Sequence, residues 1–145
     1  MSGSDQTFSD AAAEVLGPRG FTRDAELMEP WLTDWRGRYT GAACALASPA
    51  STAELAALMT LCADYGIAIV PQGGNSGMSG GATPDASGSA LLLSLRRLDQ
   101  IGAVDVAARQ VTCGAGVVLQ HLHDAADSAD ALAVLIHLHQ CKSLD

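Results

Sequence analysis

Ile67-Ala68-Ile69-Val70-Pro71-Gln72-Gly73-Gly74-Asn75-Ser76-Gly77-Met78-Ser79-Gly80-Gly81-Ala82-Thr83-Pro84 opens on a β-branched run and continues into a glycine-rich loop. Residues 67–70 have the composition of a strand. Five glycines then fall between positions 73 and 81. Glycine permits positive φ and carries no Cβ, so such a backbone can curl closely around a ligand. Successive amides in a curl of this kind form an anion-binding nest. A pyrophosphate is a natural guest, and it needs no lysine where enough amides and small hydroxyls point at it. The loop contains neither Gly-Lys-Ser/Thr nor Gly-x-Gly-x-x-Gly, so it is neither a Walker A loop nor the Rossmann fingerprint. The competing reading is a flexible Gly/Ser-rich surface loop. Its bounding prolines, and the apolar runs before and after it, weigh against that reading.

Around the loop, strands and helices alternate. Upstream, residues 41–47 read as a short apolar strand ended by Pro49. Ser51-Thr52-Ala53-Glu54 is a capping box, in which the Ser51 hydroxyl takes the Glu54 amide and Glu54 reaches back. Leu55, Leu58, Met59 and Cys62 follow at i, i+3, i+4 and i+7, one face of a helix. Gly66 is its expected left-handed stop. With residues 67–70 this makes a βαβ unit, implying two parallel strands joined by a crossover. Open α/β sheets place their ligands at the loops that follow such strands. Downstream, residues 90–95 form a third strand with no polar face, which reads as buried. Residues 103–106 and 110–113 read as a pair of short strands around a turn near Ala108-Arg109. Gly114-Ala115-Gly116 breaks the pattern, and residues 117–126 read as a helix. Toward the N-terminus the first eight residues are expected to fray. Residues 10–16 and 24–29 are helical candidates, stopped by Gly17-Pro18 and limited by Pro30. The fold class is therefore α/β, grading into α+β.

The 145 residues carry 8 Lys+Arg and 16 Asp+Glu, a formal net charge of -8. This acidic balance argues against nucleic acid as a partner, because no basic stripe exists to release counterions. A hydrophobic content of 48% excludes wholesale disorder. The longest purely apolar run, residues 131–136, is too short to span a bilayer. Residues 1–10 have neither the basic nor the apolar region of a secretory signal. Cys44, Cys62, Cys113 and Cys141 are scattered without Cys-x-x-Cys, which fits reduced thiols and a cytoplasmic location.

Three stretches carry a family resemblance: Asp34-Trp35-Arg36-Gly37-Arg38-Tyr39-Thr40-Gly41, Pro49-Ala50-Ser51-Thr52-Ala53-Glu54-Leu55, and the loop from Val70 to Pro84. Residues 91–95, Ala103-Val104-Asp105 and Cys113-Gly114-Ala115-Gly116-Val117 continue the pattern in order. Together, residues 31–126 resemble the N-terminal part of the flavin-binding domain of FAD-linked oxidases, the family of vanillyl-alcohol oxidase and p-cresol methylhydroxylase. Within it they resemble the D-2-hydroxy-acid dehydrogenase branch, with its glycolate oxidase flavoprotein subunits and D-2-hydroxyglutarate dehydrogenases.

The resemblance implies that the amides of Gly73, Gly74, Asn75, Ser76 and Gly77 face the pyrophosphate of FAD. Gln72, Met78, Gly80 and Gly81 would shape the same loop, and Gly114-Ala115-Gly116 would sit near the adenosine side. Some members attach FAD covalently through a histidine that follows two glycines in this loop. Asn75 occupies that position here, which implies non-covalent FAD. The implied activity is flavin-dependent oxidation of a 2-hydroxy acid of the D-lactate, glycolate or 2-hydroxyglutarate class. The match ends near residue 130, before the family's second glycine-rich segment and its substrate domain. The expectation is thus a chain divided into an N-terminal helical and loop segment (1–30), a partial FAD-binding domain (31–126) and a divergent tail (127–145), truncated or out of frame. Such a chain would hold no catalytic residues, would be inactive alone, and would meet the hydroxy-acid substrate only in a full-length relative.

Other readings stay open beside this one. His121 and His123, then His137 and His139 with Cys141, could suggest zinc. On a helix, residues two apart diverge by about 160°, so these pairs converge only on strands. A non-catalytic remnant of the same fold, acting as an interaction module, is the third reading. Ser76 and Ser79 lack a nearby histidine and a Gly-x-Ser-x-Gly elbow, so their expected role is to assist phosphate binding. Trp31 and Trp35 are expected to fill a packing groove. Arg36 and Arg38 could approach an anion, or pair with Asp34 or Glu29, and Arg96-Arg97 reads as a solvated turn. A lobe without its neighbours would leave the 90–95 strand with an open edge or face, so self-association is expected.

Overall fold

The computed structural model describes residues 3–130. Helix α1 spans Gly3–Leu16, strand β1 Phe21–Thr22, and helix α2 Ala25–Met28, which runs into a 3-10 turn over Glu29–Trp31. Strand β2 (Ala45–Ala47), helix α3 (Thr52–Tyr65), strand β3 (Ile69–Gln72), strand β4 (Leu91–Ser94) and helix α4 (Leu119–Asp127) follow. The architecture is α/β, as the alternation of runs implies. The four strands form one mixed sheet in the order β1-β2-β4-β3. β2 and β3 are both parallel to β4, and β1 is antiparallel to β2.

The βαβ unit is present, but its two strands are not neighbours, because β4 lies between them. The reason is compositional. Leu91, Leu92, Leu93 and Ser94 are all buried, and a run apolar on both faces is stable only where both faces are covered. The expectation that this strand has an open edge is corrected: among the described residues the edges are β1 and β3. The strand boundaries are also tighter than the apolar runs. Residues 41–44 are irregular, and β3 begins two residues later than its β-branched run and ends at Gln72.

Side chains alternate across the sheet as the pleat requires. Ala45, Ala47, Leu91 and Leu93 join Phe8, Ala12 and Leu16 of α1 and Leu58 and Cys62 of α3 in one core. Leu46 and Leu92 point the other way, toward Met28, with Trp31, Leu32 and Val70 packed around them. Of the end that composition suggests should fray, the described residues from Gly3 onward belong to α1. Phe8, Ala12 and Leu16 lie at helical spacing on one buried face. The Phe8 ring packs edge-on against Phe21 and Tyr65, with centroids 6.5 and 5.6 Å away.

α3 begins as its capping box dictates. Ser51 Oγ accepts from the Glu54 amide at 3.1 Å, and Glu54 Oε2 accepts from the Ala50 amide at 2.7 Å, one residue further back than the motif's usual donor. Gly66 ends the helix in the left-handed region at φ 66. Of the face read from the sequence, Leu58 and Cys62 are buried and Leu55 packs at its margin, but Met59 is exposed. Leu61 takes that place in the core. The strand pair at 103–113 survives only as isolated antiparallel bridges, Asp105 to Gln110 and Ile101 to Cys113. Arg109 turns the chain at φ 55. α4 carries Leu122 and Ala126 inward. The calls on His137, His139, Cys141 and the apolar stretch after residue 130 lie outside the described residues. Among the described residues no helix is long and apolar enough to cross a membrane.

Candidate functional site

The glycine-rich loop leaves the C-terminal end of β3 beside the C-terminal end of β4, where Gln72 is registered against Ser94. Parallel strands of an open sheet offer their ligand crevice at this end. Gln72 is only 1% exposed, so it is part of the loop's footing. Its Nε2 donates to the carbonyls of Trp31 at 3.0 Å and Ala82 at 2.8 Å, tying both ends of the loop to the segment before β2. Asn75 holds a left-handed backbone at φ 54, a conformation that asparagine tolerates better than most residues. Its Nδ2 donates to the Thr33 carbonyl at 2.8 Å. Gly80 lies at φ 72, and a Cβ there would meet the Tyr39 ring at 2.9 Å. Both features demand glycine.

The partner of the loop is the segment 31–42, whose role the sequence reading missed. Its organiser is Asp34, 4% exposed. The Asp34 carboxylate accepts from the amides of Tyr39 at 2.7 Å, Arg38 at 2.7 Å and Arg36 at 3.3 Å. These bonds, the Tyr39 amide foremost, hold its carboxyl below the ordinary value of 3.8 against the opposing effect of burial. The expected ion pair from Arg36 or Arg38 is thus replaced by main-chain donors. A signal was present: Asp followed three residues later by Gly is turn chemistry.

Arg36 is left to lie over the Trp35 ring at 5.0 Å and to donate to Met78 Sδ at 2.8 Å. Trp35 is 55% exposed, so it does not fill a groove as expected, whereas Trp31 packs on the second core beneath the Arg96 guanidinium. The 96–97 pair is likewise not a free turn, since Arg97 donates to the carbonyls of Ser48 and Arg19 at 2.7 and 3.3 Å.

Two observations bear on whether the loop suits a pyrophosphate such as that of FAD. Among the described residues, no hydrogen bond consumes the main-chain N–H groups of residues 73–81, although the flanking Thr83 amide is bonded to Gly80. None of residues 73–81 is buried, so these unclaimed amides are reachable from solvent, and successive reachable amides at a sheet's ligand end suit an anion. A Cβ built at Gly73, Gly74, Gly77 or Gly81 would meet no atom within 4 Å. The space they leave open is therefore not filled by the chain's own packing. Asn75 and Ser76 are half-buried within the loop, and Met78 and Ser79 are exposed on its rim.

Gly114 and Gly116 differ. A Cβ on either would collide with the carbonyl of Leu98 or Leu95. Their amides are bonded to Gln100 and Leu98, so their smallness serves packing. His121 and His123 lie two apart on α4, and among the described residues no group of three metal-ligating side chains converges. A cleft of about 600 Å³, lined in part by Arg23, Cys44, Ile67 and Ser89, opens at the opposite end of the strands. That end precedes β2, β3 and β4 rather than following them.

Comparison with known proteins agrees with this fold. The model of a family described as FAD binding domain matches residues 43–140. A probable D-2-hydroxyglutarate dehydrogenase, mitochondrial, of Oryza sativa subsp. indica is 36% identical over 108 residues, covering 74% of this chain and 19% of that protein. The D-2-hydroxyglutarate dehydrogenase, mitochondrial, of Bos taurus is 34% identical over 112 residues, covering 77% and 20%. The chain thus spans about a fifth of the length of these relatives. Among solved structures, p-cresol methylhydroxylase with substrate bound superposes with a TM-score of 0.77 at 15% identity, over 90% of this chain and 26% of that one. Alkyldihydroxyacetonephosphate synthase gives 0.74 at 20% identity, over 85% and 25%. The fold is that of this group's FAD-binding domain.

Proposed function

The chain belongs to the FAD binding domain family, and from that premise we propose that residues 72–81 cradle the pyrophosphate of a non-covalently held FAD. The amides of Gly73, Gly74, Asn75, Ser76 and Gly77 donate to the phosphate oxygens. Gln72, Met78, Gly80 and Gly81 keep the loop in shape. The observation that carries this reading is the run of unclaimed amides over 73–81 beside glycines whose missing side chains leave open space. Asn75 supports the non-covalent form, because its amide is engaged with Thr33 and offers no nucleophile for a bond to flavin.

The relatives at 36% and 34% identity are named as dehydrogenases of D-2-hydroxyglutarate, which supports a reading within that chemistry. We therefore read the lobe as part of a flavin-dependent oxidoreductase acting on a 2-hydroxy acid. Bound FAD would supply the electron-accepting chemistry, and the protein supplies binding and orientation. The residues described here bind and orient the phosphate end and exclude side chains from it. Substrate oxidation is the activity named for the relatives, of whose length this chain spans about a fifth.

The test is titration of the purified chain with FAD, followed by the cofactor's fluorescence, for wild type and Gly74→Val. Wild type should bind reversibly and release all flavin on acid precipitation. Gly74→Val should weaken binding more than tenfold, about 1.4 kcal/mol or more. Its apo stability should hold, because the new Cβ meets no neighbour. Unchanged affinity in this variant removes the loop from the site.

A further inference from the structure

The glycine loop contains no lysine or arginine, and the chain's net charge of -8 disfavours a dianionic guest. Amides alone therefore have to offset the chain's own field. Among the described residues, Arg36 is a cation bonded to the loop. Arg36 crosses from the neighbouring segment and places Nη2 2.8 Å from Met78 Sδ. That sulfur is a weak acceptor, so the bond is easily surrendered to a better one.

The acid nearest in sequence cannot compete for Arg36. Asp34 is buried, and its carboxylate is occupied by the amides of Arg36, Arg38 and Tyr39. Among the described residues Arg36 makes no ion pair. The Trp35 ring lies 5.0 Å from its guanidinium and supports the planar group from one side. The arrangement leaves a charged fork, exposed and without a strong acceptor, beside amides that also lack acceptors.

We propose that Arg36 is the loop's counter-charge: its guanidinium leaves Met78 and takes a phosphate oxygen of the bound dinucleotide. The proposal rests on the FAD reading of the glycine loop and adds to it a residue from outside that loop. Asp34 acts as a positioning residue, because its three main-chain bonds set the turn from which Arg36 projects. An arginine suits the role better than a lysine, since a planar fork can meet two oxygens at once.

The experiment measures FAD affinity of the full chain across a series of NaCl concentrations, for wild type, Arg36→Met, Arg36→Lys and Gly74→Val, with far-ultraviolet circular dichroism of each. Arg36→Met keeps an apolar stem at an exposed position and removes only the guanidinium with its weak bond to Met78, so its fold should be intact. Its FAD affinity should fall roughly tenfold at low salt, and its salt dependence should flatten, because a screened charge has been removed. Arg36→Lys should keep the wild-type salt dependence while recovering part of the affinity. A merely structural role would lower affinity without altering the salt dependence, and that result overturns the proposal. Wild-type affinity and salt dependence in Arg36→Met also overturn it, while loss of binding in Gly74→Val leaves the loop reading standing. Failure of the wild-type chain to bind FAD at any salt concentration removes both.

Discussion

Asp34 and Cys62 are two buried groups with opposite responses to pH. The folded pKa of Asp34 lies below 3.8, through the Tyr39 amide first and the Arg38 and Arg36 amides after it. A depressed carboxylate contributes stability above its unfolded value and loses it as pH falls through the folded one. The loop over 34–40 should therefore hold at neutral pH and release on acidification below 3.8, reported by the fluorescence of Trp31 and Trp35. Asp34→Asn should abolish that acid step and lower the melting temperature at pH 7. Burial, with the nearby Cys44 as a smaller cause, raises Cys62 from 9.0 to about 11. Its contribution is complete below 9.0 and is lost as pH rises through about 11. At pH 8, iodoacetamide should label the exposed Cys113 quickly. It should reach Cys62 only at the rate of unfolding, as peptide mapping by mass spectrometry would show. Rapid labelling of Cys62 would contradict its place in the core.

α3 is the element whose reading from sequence fared best, because its start and stop are local events. Ser51, Glu54 and Gly66 act within four residues of the bonds they make. Ser51→Ala should cost about 1 kcal/mol in urea unfolding, the usual worth of a helix N-cap. Leu58, fully buried between the sheet and α1, should cost about 2–5 kcal/mol on truncation to alanine. The helix's faces were less legible. Met59 and Leu61 are both compatible with an apolar stripe, and only the position of the sheet and α1 decides which is covered. β2 shows the same division: its run of apolar residues marks a strand, but pairing begins only at Ala45. Residues 41–44 bond irregularly instead, the Ala42 amide to Asp85 and the Cys44 amide to Ala90.

The whole molecule differs from the sequence expectation most clearly in strand order. β4 is shielded between β2 and β3, so it cannot be the surface through which copies associate. The exposed apolar groups beside the glycine loop, Trp35, Tyr39 and Met78, form the better candidate, since clustered apolar surface favours association. Light scattering at rising concentration should show self-association opposed by the net charge of -8, and Trp35→Ser should weaken it. A scattering mass that stays monomeric at high concentration would mean that this patch is too small to act.

The strand–helix–strand rhythm, the capped start and glycine stop of α3, the buried character of residues 91–94 and the glycine-rich loop over residues 73–81 were legible from the sequence alone. Each depends on dihedral preference, side-chain periodicity or hydrogen bonds between near neighbours, and these are written in a few consecutive residues. Tertiary structure alone decided that β4 inserts between β2 and β3, that Phe8 is core rather than fraying end, and that residues 31–42 brace the glycine loop. Those outcomes rest on contacts such as Gln72 to Trp31, Asn75 to Thr33 and Arg36 to Met78, between residues about forty positions apart. No local preference encodes such a pairing. It forms because burying apolar strands brings distant loops together, and their polar groups must then find one another.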